Sequence, residues 1–419
     1  MTNESAAASN ATGIQLRAAG NLPEAIAAFR RGIAAHPDVL GLRQNLAQTL
    51  FESGDVQGAI AEHRAILRID HQNVASNLTL YELLQMSGER ILALAHQRLA
   101  LEVQRLYSEV APHPARSILV LCAPGDWQAN IPIDFVIDRA TTSVHKLYLL
   151  DADRVTRQRL PSYDVIWNAI AESPEAGPYL ALATQIIAQA KVPTLNAPSR
   201  VLDTERLRLP RTLAHTGAHV PPVDRVAREA LEKGHVSFAF PIIARPFGSH
   251  AGHGLERLAS AAECAEYVAR QPNDTYVVSP FVDYASDDGF YRKYRIVFVD
   301  GEPYPTHLAI SPNWMVHYYN APMRENAWMR DEEAAFLKDV RSAFDGGRYE
   351  TLRTIAKAVG LEYFGIDCAI DRDGKVLVFE ADPAMLVHTT DPADVYPYKL
   401  EYVPRIYRAI EAMIDRRKS

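Results

Sequence analysis

Apolar positions in the first hundred residues follow a helical rhythm, and that rhythm itself repeats. Gly20, Gly54 and Gly88 stand 34 residues apart. The same interval separates Ala25, Ala59 and Ala93, then Leu16, Leu50 and Leu84, then Ile26, Ile60 and Leu94. Four columns in register at this period are the signature of tetratricopeptide repeats. Each unit reads as two amphipathic helices joined by a turn, at Gly20-Asn21, Gly54-Asp55 and Gly88-Glu89. The small alanine early in the second helix lets it approach its neighbour closely, and Pro37 stops the second helix of the first unit. One helix pair cannot bury its own apolar face, so three units are near the minimum for a stable array. Such an array presents a concave surface to a peptide or protein, or mediates self-association into a homodimer.

From Ser117 the pattern changes. SILVLCAPG (117–125), HKLYLL (145–150), DVIWNAI (164–170) and VPTLN (192–196) are short apolar runs that read as buried parallel strands. Residues 179–191 carry a helical pattern, so strands and helices alternate as in an α/β layer. The Pro-containing APHPA (111–115) marks the boundary before it. Farther on, 206–221 reads as a helix leading into a strand. FPIIARPFGS (240–249) is a strand ending in the small-residue loop GSHAGHG, and TYVVSPFVD (275–283) is another strand. Residues 294–310 form a hairpin turning at Asp300-Gly301. FGIDCAIDRDGKVLVFEAD (364–382) forms a second, turning within 371–374. The expected organisation is α+β and multidomain: repeats over 11–105, a linker over 106–116, an α/β layer over 117–200 and a final domain over 201–415.

Composition narrows the class. The 419 residues are 48% hydrophobic, enough for several cores, and carry a formal net charge of −7. That charge argues against nucleic acid as the main partner, because phosphate backbones need a basic footprint. Cys122, Cys264 and Cys368 are odd in number and far apart, which supports neither a disulfide framework nor a zinc site. The first residues lack a basic and then apolar segment, and no apolar run is long enough to span a membrane. The expected address is the cytoplasm.

The second hairpin carries the most informative chemistry. Placing its turn between Arg372 and Asp373 sets Asp367 opposite Val378 and diagonal to Glu380, with Glu380 and Asp382 on one face of their strand. Leu377, Phe379 and Ala381 then point to a core. Three acids gathered there repel one another unless a cation sits among them, and hard oxygen donors suit Mg²⁺ or Mn²⁺. A solvated acidic hairpin end is the alternative. Ser249, Gly252 and Gly254 in the small-residue loop let backbone N–H groups approach a phosphate, although a plain surface loop has the same composition. Arg245, in the apolar run IIARP, needs an anionic partner: a nucleotide phosphate or a structural carboxylate. His250, His253, His307 and His317 read as solvated loop residues.

Taken together, these elements resemble the ATP-grasp superfamily, near the branch of glutathione synthetase and the peptide-tail glutamate ligases, over about residues 117–415. IARPFGSHAGHG is similar to the family's hydrophobic-Lys-Pro strand and glycine loop. Asp367 with Glu380-Ala-Asp-Pro383 is similar to its Asp…Glu-x-Asn-Pro metal motif, and 295–301 to its Arg-containing strand. The resemblance implies a Rossmann-like layer preceding the ATP-grasp domain. It implies ATP as cofactor, Asp367, Glu380 and Asp382 as Mg²⁺ ligands, and phosphate contacts from Arg206 and Arg245. It places adenine at the backbone of Phe281 and Val282, and Arg295 at the transferring phosphate or substrate carboxylate. Arg stands at both usual Lys positions, Asp382 at the usual Asn, and Ser279-Pro280-Phe281 lacks the usual acid before the hinge. The implied reaction is carboxylate–amine ligation through an acyl phosphate, on a peptide or protein recruited by the repeats and with a small-molecule amine or carboxylate. A repeat scaffold with a degenerate ATP-binding domain and a phosphotransferase are the alternatives. Residues 311–328 are expected to line the acceptor side or to form a lid.

Overall fold

The computed structural model describes residues 5–151, 159–249, 252–317 and 320–418. They divide into two compact units, Met1–Tyr107 with Pro124–Trp127, and Ser108–Ala123 with Gln128–Ser419.

The first unit contains six helices, α1 (Ala6–Ala18), α2 (Leu22–Ala35), α3 (Leu40–Glu52), α4 (Val56–Ile69), α5 (Val74–Met86) and α6 (Arg90–Val103). The repeated glycines end the first helix of each pair with φ of +79°, +88° and +78°. A Cβ at any of the three would meet nothing within 4 Å, so glycine is there for the left-handed backbone and not for space. The N–H groups of Asn21, Asp55 and Glu89 return to the carbonyls of Leu16, Leu50 and Leu84 at 2.8–2.9 Å. This is the closing bond of a Schellman motif, and it explains why the leucine and glycine columns keep one register. Ala25, Ala59 and Ala93 are at most 1% exposed, packed with Phe29, Leu42, Leu46 and Leu84. The expected helical array is present.

A five-stranded sheet follows in the order β1-β3-β2-β4-β5. Its strands are β1 (Leu106–Glu109), β2 (Arg116–Cys122), β3 (Thr142–Tyr148), β4 (Val165–Asn168) and β5 (Thr194–Leu195). β3, β2, β4 and β5 run parallel. Ile118, Leu119, Val120 and Leu121 are all 0% exposed, which is why their run is continuously apolar: both faces are covered.

Two antiparallel sheets follow. One has the order β6-β9-β7-β8, from β6 (Asp224–Ala227), β7 (Ile242–Pro246), β8 (Glu256–Leu258) and β9 (Thr275–Pro280). Its core joins Ile242, Ala244, Tyr276 and Val278 to Leu231, Tyr267 and Val268. The other has the order β11-β10-β12-β13, from β10 (Tyr291–Val299), β11 (Glu302–Ser311), β12 (Tyr363–Ile370) and β13 (Val376–Asp382). Phe298 and Phe364 stack across it with centroids 4.6 Å apart. Asp300 and Gly301 both adopt positive φ at the first hairpin turn, as an Asp-Gly turn requires. The fold is α+β and multidomain: a helical array, then mixed α/β sheets.

Two expectations change. The helix expected to open 206–221 is only a single turn, Leu209–Thr212, before the expected entry into extended chain. Pro210 suits its first turn, and the chain soon extends so that His219 bridges Leu377. The second hairpin also pairs differently. Ile370 faces Val376, Cys368 faces Val378, and Asp367 faces Glu380 directly, across a bulge that leaves Phe379 without a partner. A five-residue turn, held by Asp371 Oδ1 accepting from the N–H groups of Asp373 and Lys375, sets this register. The bulge then slips it once more.

Candidate functional site

The slipped register aligns side chains across three strands. Arg295 on β10 pairs with Asp367 on β12, and Asp367 pairs with Glu380 on β13. Asp382 lies two residues beyond Glu380 on the same face, and Lys293 lies two residues before Arg295. Arg295 Nε donates to Asp367 Oδ1 at 2.8 Å, and its Nη2 to Oδ2 at 3.0 Å. Lys293 Nζ donates to the same Oδ2 at 3.0 Å. Arg206 forms an ion pair with Glu380.

These contacts set the charges. Burial pushes the Asp367 carboxyl up, but Arg295 and Lys293 outweigh it and hold the group well below the usual carboxylate range. Burial also opposes ionised Glu380, and Arg206 more than compensates. Asp382 makes no ion pair among the described residues. Burial and the neighbouring Glu380 charge push it up to about 6, while its Oδ1 accepts from Ala384 N–H at 2.7 Å. Glu172, in the connection after β4, is pushed up to about 7 by burial and by Glu205 and Asp382, with Arg206 and Arg208 opposing.

Above this row lies a cavity of about 500 Å³ lined from both antiparallel sheets. Ile243, Val278, Phe281, Val282, Met315 and Leu377 make an apolar slot, and Arg206, Arg245, Lys293, Arg295, Asp367 and Glu380 line its charged part. That volume and that pairing of an apolar slot with a few polar groups are typical of small-molecule sites. Arg257 stacks over Phe281, 4.2 Å from its centroid, and Trp314 meets the same ring edge-on at 5.5 Å.

Most of the residues expected from the sequence meet here. Arg206, Arg245, Gly252, Phe281, Val282, Arg295, Asp367 and Glu380 all line the cavity. Ser249, Gly254 and Asp382 are not among its lining residues. Ser249 Oγ accepts from Arg245 Nε at 2.9 Å, and its carbonyl accepts from the same guanidinium. Arg245 is 8% exposed, and burial and Arg206 pull its basicity down to about 10. Its partner is therefore the start of the glycine loop and not a carboxylate. Gly254 packs against Pro246, where a Cβ would come within 2.6 Å of Cδ. His250 lies outside the described residues.

Sequence reading missed Lys293, His317 and Glu172. Lys293 was legible in the run YRKYR, where it shares a strand face with Arg295. His317, read as solvated, lines the cavity with Trp314, Met315, Val316 and Asn320, so the 311–328 segment forms part of the cavity wall. Nothing in the sequence connected Glu172 to Glu205 and Arg206, more than thirty positions on, or to Asp382, more than two hundred. Among the described residues, no three His, Cys, Asp or Glu side chains converge as ligands for one ion. Both Asp367 oxygens are held by cations, and Glu380 is held by Arg206.

Residues 16–84 match the tetratricopeptide repeat family model. The first unit is such an array. Among solved structures, the chain is similar to the VanG D-Ala:D-Ser ligase from Enterococcus faecalis, at 11% identity and a TM-score of 0.44 over 71% of this chain and 99% of that one. It is similar to D-alanine–D-alanine ligase from Bacillus anthracis complexed with ATP, at 12% and 0.42 over 73% and 97%. The D-alanine–D-alanine ligase from Coxiella burnetii gives 12% and 0.43 over 72% and 96%. No curated protein sequence matches the chain.

Proposed function

We propose that this chain is an ATP-dependent ligase that joins a carboxylate to an amine through an acyl phosphate, on a peptide or protein brought by the repeat array. The observation that carries this reading is the Arg295–Asp367–Glu380 row in the charged part of an apolar cavity. ATP supplies the phosphoryl group that activates the carboxylate. Phe281, Val282, Ile243 and Leu377 offer the apolar walls an adenine ring needs. Arg245 and Arg206 stand where they can neutralise phosphate oxygens, Arg206 by leaving Glu380. Arg295, anchored by two bonds to Asp367, is held rigidly toward the cavity, which suits a group that stabilises charge developing on a transferring phosphoryl or a substrate carboxylate. With Asp367 held by Arg295 and Lys293, and Glu380 by Arg206, the three carboxylates as arranged do not fit one shared Mg²⁺.

The test is acceptor-dependent release of phosphate with panels of amines and carboxylates. Arg295→Met is expected to lower turnover by about 10²–10³-fold, the usual loss on removing one charge-stabilising donor. An amide product supports ligation. A phosphorylated product without an amide identifies a phosphotransferase instead. Absence of turnover with every acceptor favours a repeat scaffold, the reading consistent with the cation-occupied acids.

A further inference from the structure

Four departures of the third repeat from its own columns meet one segment of chain. Where Gly13 and Ala47 stand in the first two units, the third has Tyr81, and where Phe29 and His63 stand it has Gln97. These two columns are complementary. In the first unit a Cβ on Gly13 would come within 2.4 Å of the Phe29 ring, so one residue is small because the other is large. In the third unit the large residue has changed helix, and both side chains end in polar groups. Gln85 replaces Arg17 and Phe51, and Arg90 replaces Leu22 and Val56. The Tyr81 ring packs against the core of the array, and Gln97 is 4% exposed, so its amide needs partners for both donor and acceptor.

The partner is Pro124–Trp127, just after β2, a segment that belongs to the first unit. Gln97 Oε1 accepts from the Gly125 N–H at 2.9 Å, and Gln97 Nε2 donates to the Gly125 carbonyl at 3.0 Å. This is the exchange made by a hydrogen-bonded residue pair of an antiparallel ladder, here between a side chain and a backbone. Tyr81 Oη donates to the same carbonyl at 2.7 Å. Arg90 Nε donates to Asp126 Oδ2 at 3.0 Å, and Gln85 Oε1 accepts from the Trp127 N–H at 3.3 Å. The array thus reads both main-chain groups of one residue and the charge of the next. Its hold is polar, and the Trp127 residue beside it is 57% exposed.

We infer that the α5–α6 pair is a binding site for a peptide turn in which an acidic residue follows glycine, filled by this chain's own Gly125-Asp126 until a partner carrying the same turn takes its place. Glycine suits the close approach of the buried Gln97 amide to the backbone. Tethering gives the internal turn an effective concentration on the order of mM, so a partner needs further contacts on the array to displace it. The inference rests on the peptide-recruiting role given to the array above, and not on the ligase chemistry, which its test leaves untouched.

The experiment is fluorescence anisotropy of two labelled peptides, APGDWQ, the sequence of 123–128, and APGKWQ, titrated with full-length protein to about 1 mM, the range in which the internal turn competes. Comparing both peptides on one protein cancels that competition. The wild type is expected to prefer APGDWQ by about fivefold, as for an exposed ion pair, and Arg90→Glu to prefer APGKWQ by a similar factor. Gln97→Leu should weaken both peptides by about tenfold. A protein carrying Gly125→Pro and Asp126→Lys loses the N–H held by Gln97 and repels Arg90. It should bind APGDWQ about tenfold more tightly than the wild type, because its own turn competes less. If Gln97→Leu does not fold, Arg90→Glu, at an exposed side chain, carries the test. The same preference in wild type and Arg90→Glu, unchanged binding by folded Gln97→Leu, or no gain from the double substitution would each overturn the inference. So would no binding of either peptide to that double variant. Loss of turnover with intact peptide preference would instead overturn the ligase reading alone.

Discussion

Glu172 follows the buried Ala171, whose N–H is fixed to the Ala129 carbonyl at 2.9 Å, so its carboxyl cannot simply retreat into water. It shares its surroundings with Glu205 and Asp382, and burial and their repulsion raise it from 4.5 to about 7. The native state therefore binds this proton more tightly than the unfolded chain does. That contribution to stability is complete below about pH 4.5 and is lost as pH rises through about 7. Glu172→Gln is expected to match the wild type at pH 4 and to exceed it by roughly 1–3 kcal/mol at pH 8, after allowance for partial exposure. Urea unfolding at the two pH values measures this, and an equal or less stable variant at pH 8 would contradict the assignment. The same scale shows what a sequence can carry. Asp367, Glu380 and Asp382 were legible because alternation on a strand fixes which acids share a face. Lys293 was visible beside Arg295 in YRKYR, but its pairing with Asp367, 74 residues on, leaves no local pattern.

At the scale of elements, the repeats were the most legible part. Their period is strict because each Leu carbonyl, Gly turn and small Ala belongs to one recurring motif, and local rules suffice. The second hairpin was visible as a hairpin, but its register was not. The five-residue turn, closed by the Asp371 carboxylate, and the bulge at Phe379 each displace pairing by one residue. The slip matters chemically, because it puts Asp367 beside Glu380 instead of diagonal to it. Gly365, paired with Asp382, is a dependent feature of this hairpin. A Cβ there would approach Met385 Cγ to 2.4 Å and Cβ to 2.6 Å. Gly365→Ala should therefore cost about 1–3 kcal/mol, the usual range for overpacking. Denaturant midpoints would show it, and a neutral substitution would mean that Met385 can withdraw freely.

At the scale of the whole molecule, the sequence distinguished a helical array from a sheet-rich remainder because the two obey different hydrophobic periods. No helix is long and apolar enough to cross a membrane among the described residues. The way two separate antiparallel sheets enclose one cavity was not legible, since the lining residues are scattered from Arg206 to Glu380 and meet only through long-range pairing. That cavity is the centre of the account, which holds that a nucleotide lies in it with phosphates toward Arg245. Calorimetric titration of ATP into the full-length protein and Arg245→Ala tests this most directly. The account predicts saturable binding by the wild type, with a dissociation constant between about 1 µM and 1 mM. It predicts weaker binding by the variant by about 1.5–3 kcal/mol, as for loss of a charged hydrogen bond. No saturable binding of ATP to the wild type, or the same affinity in both proteins, would contradict it.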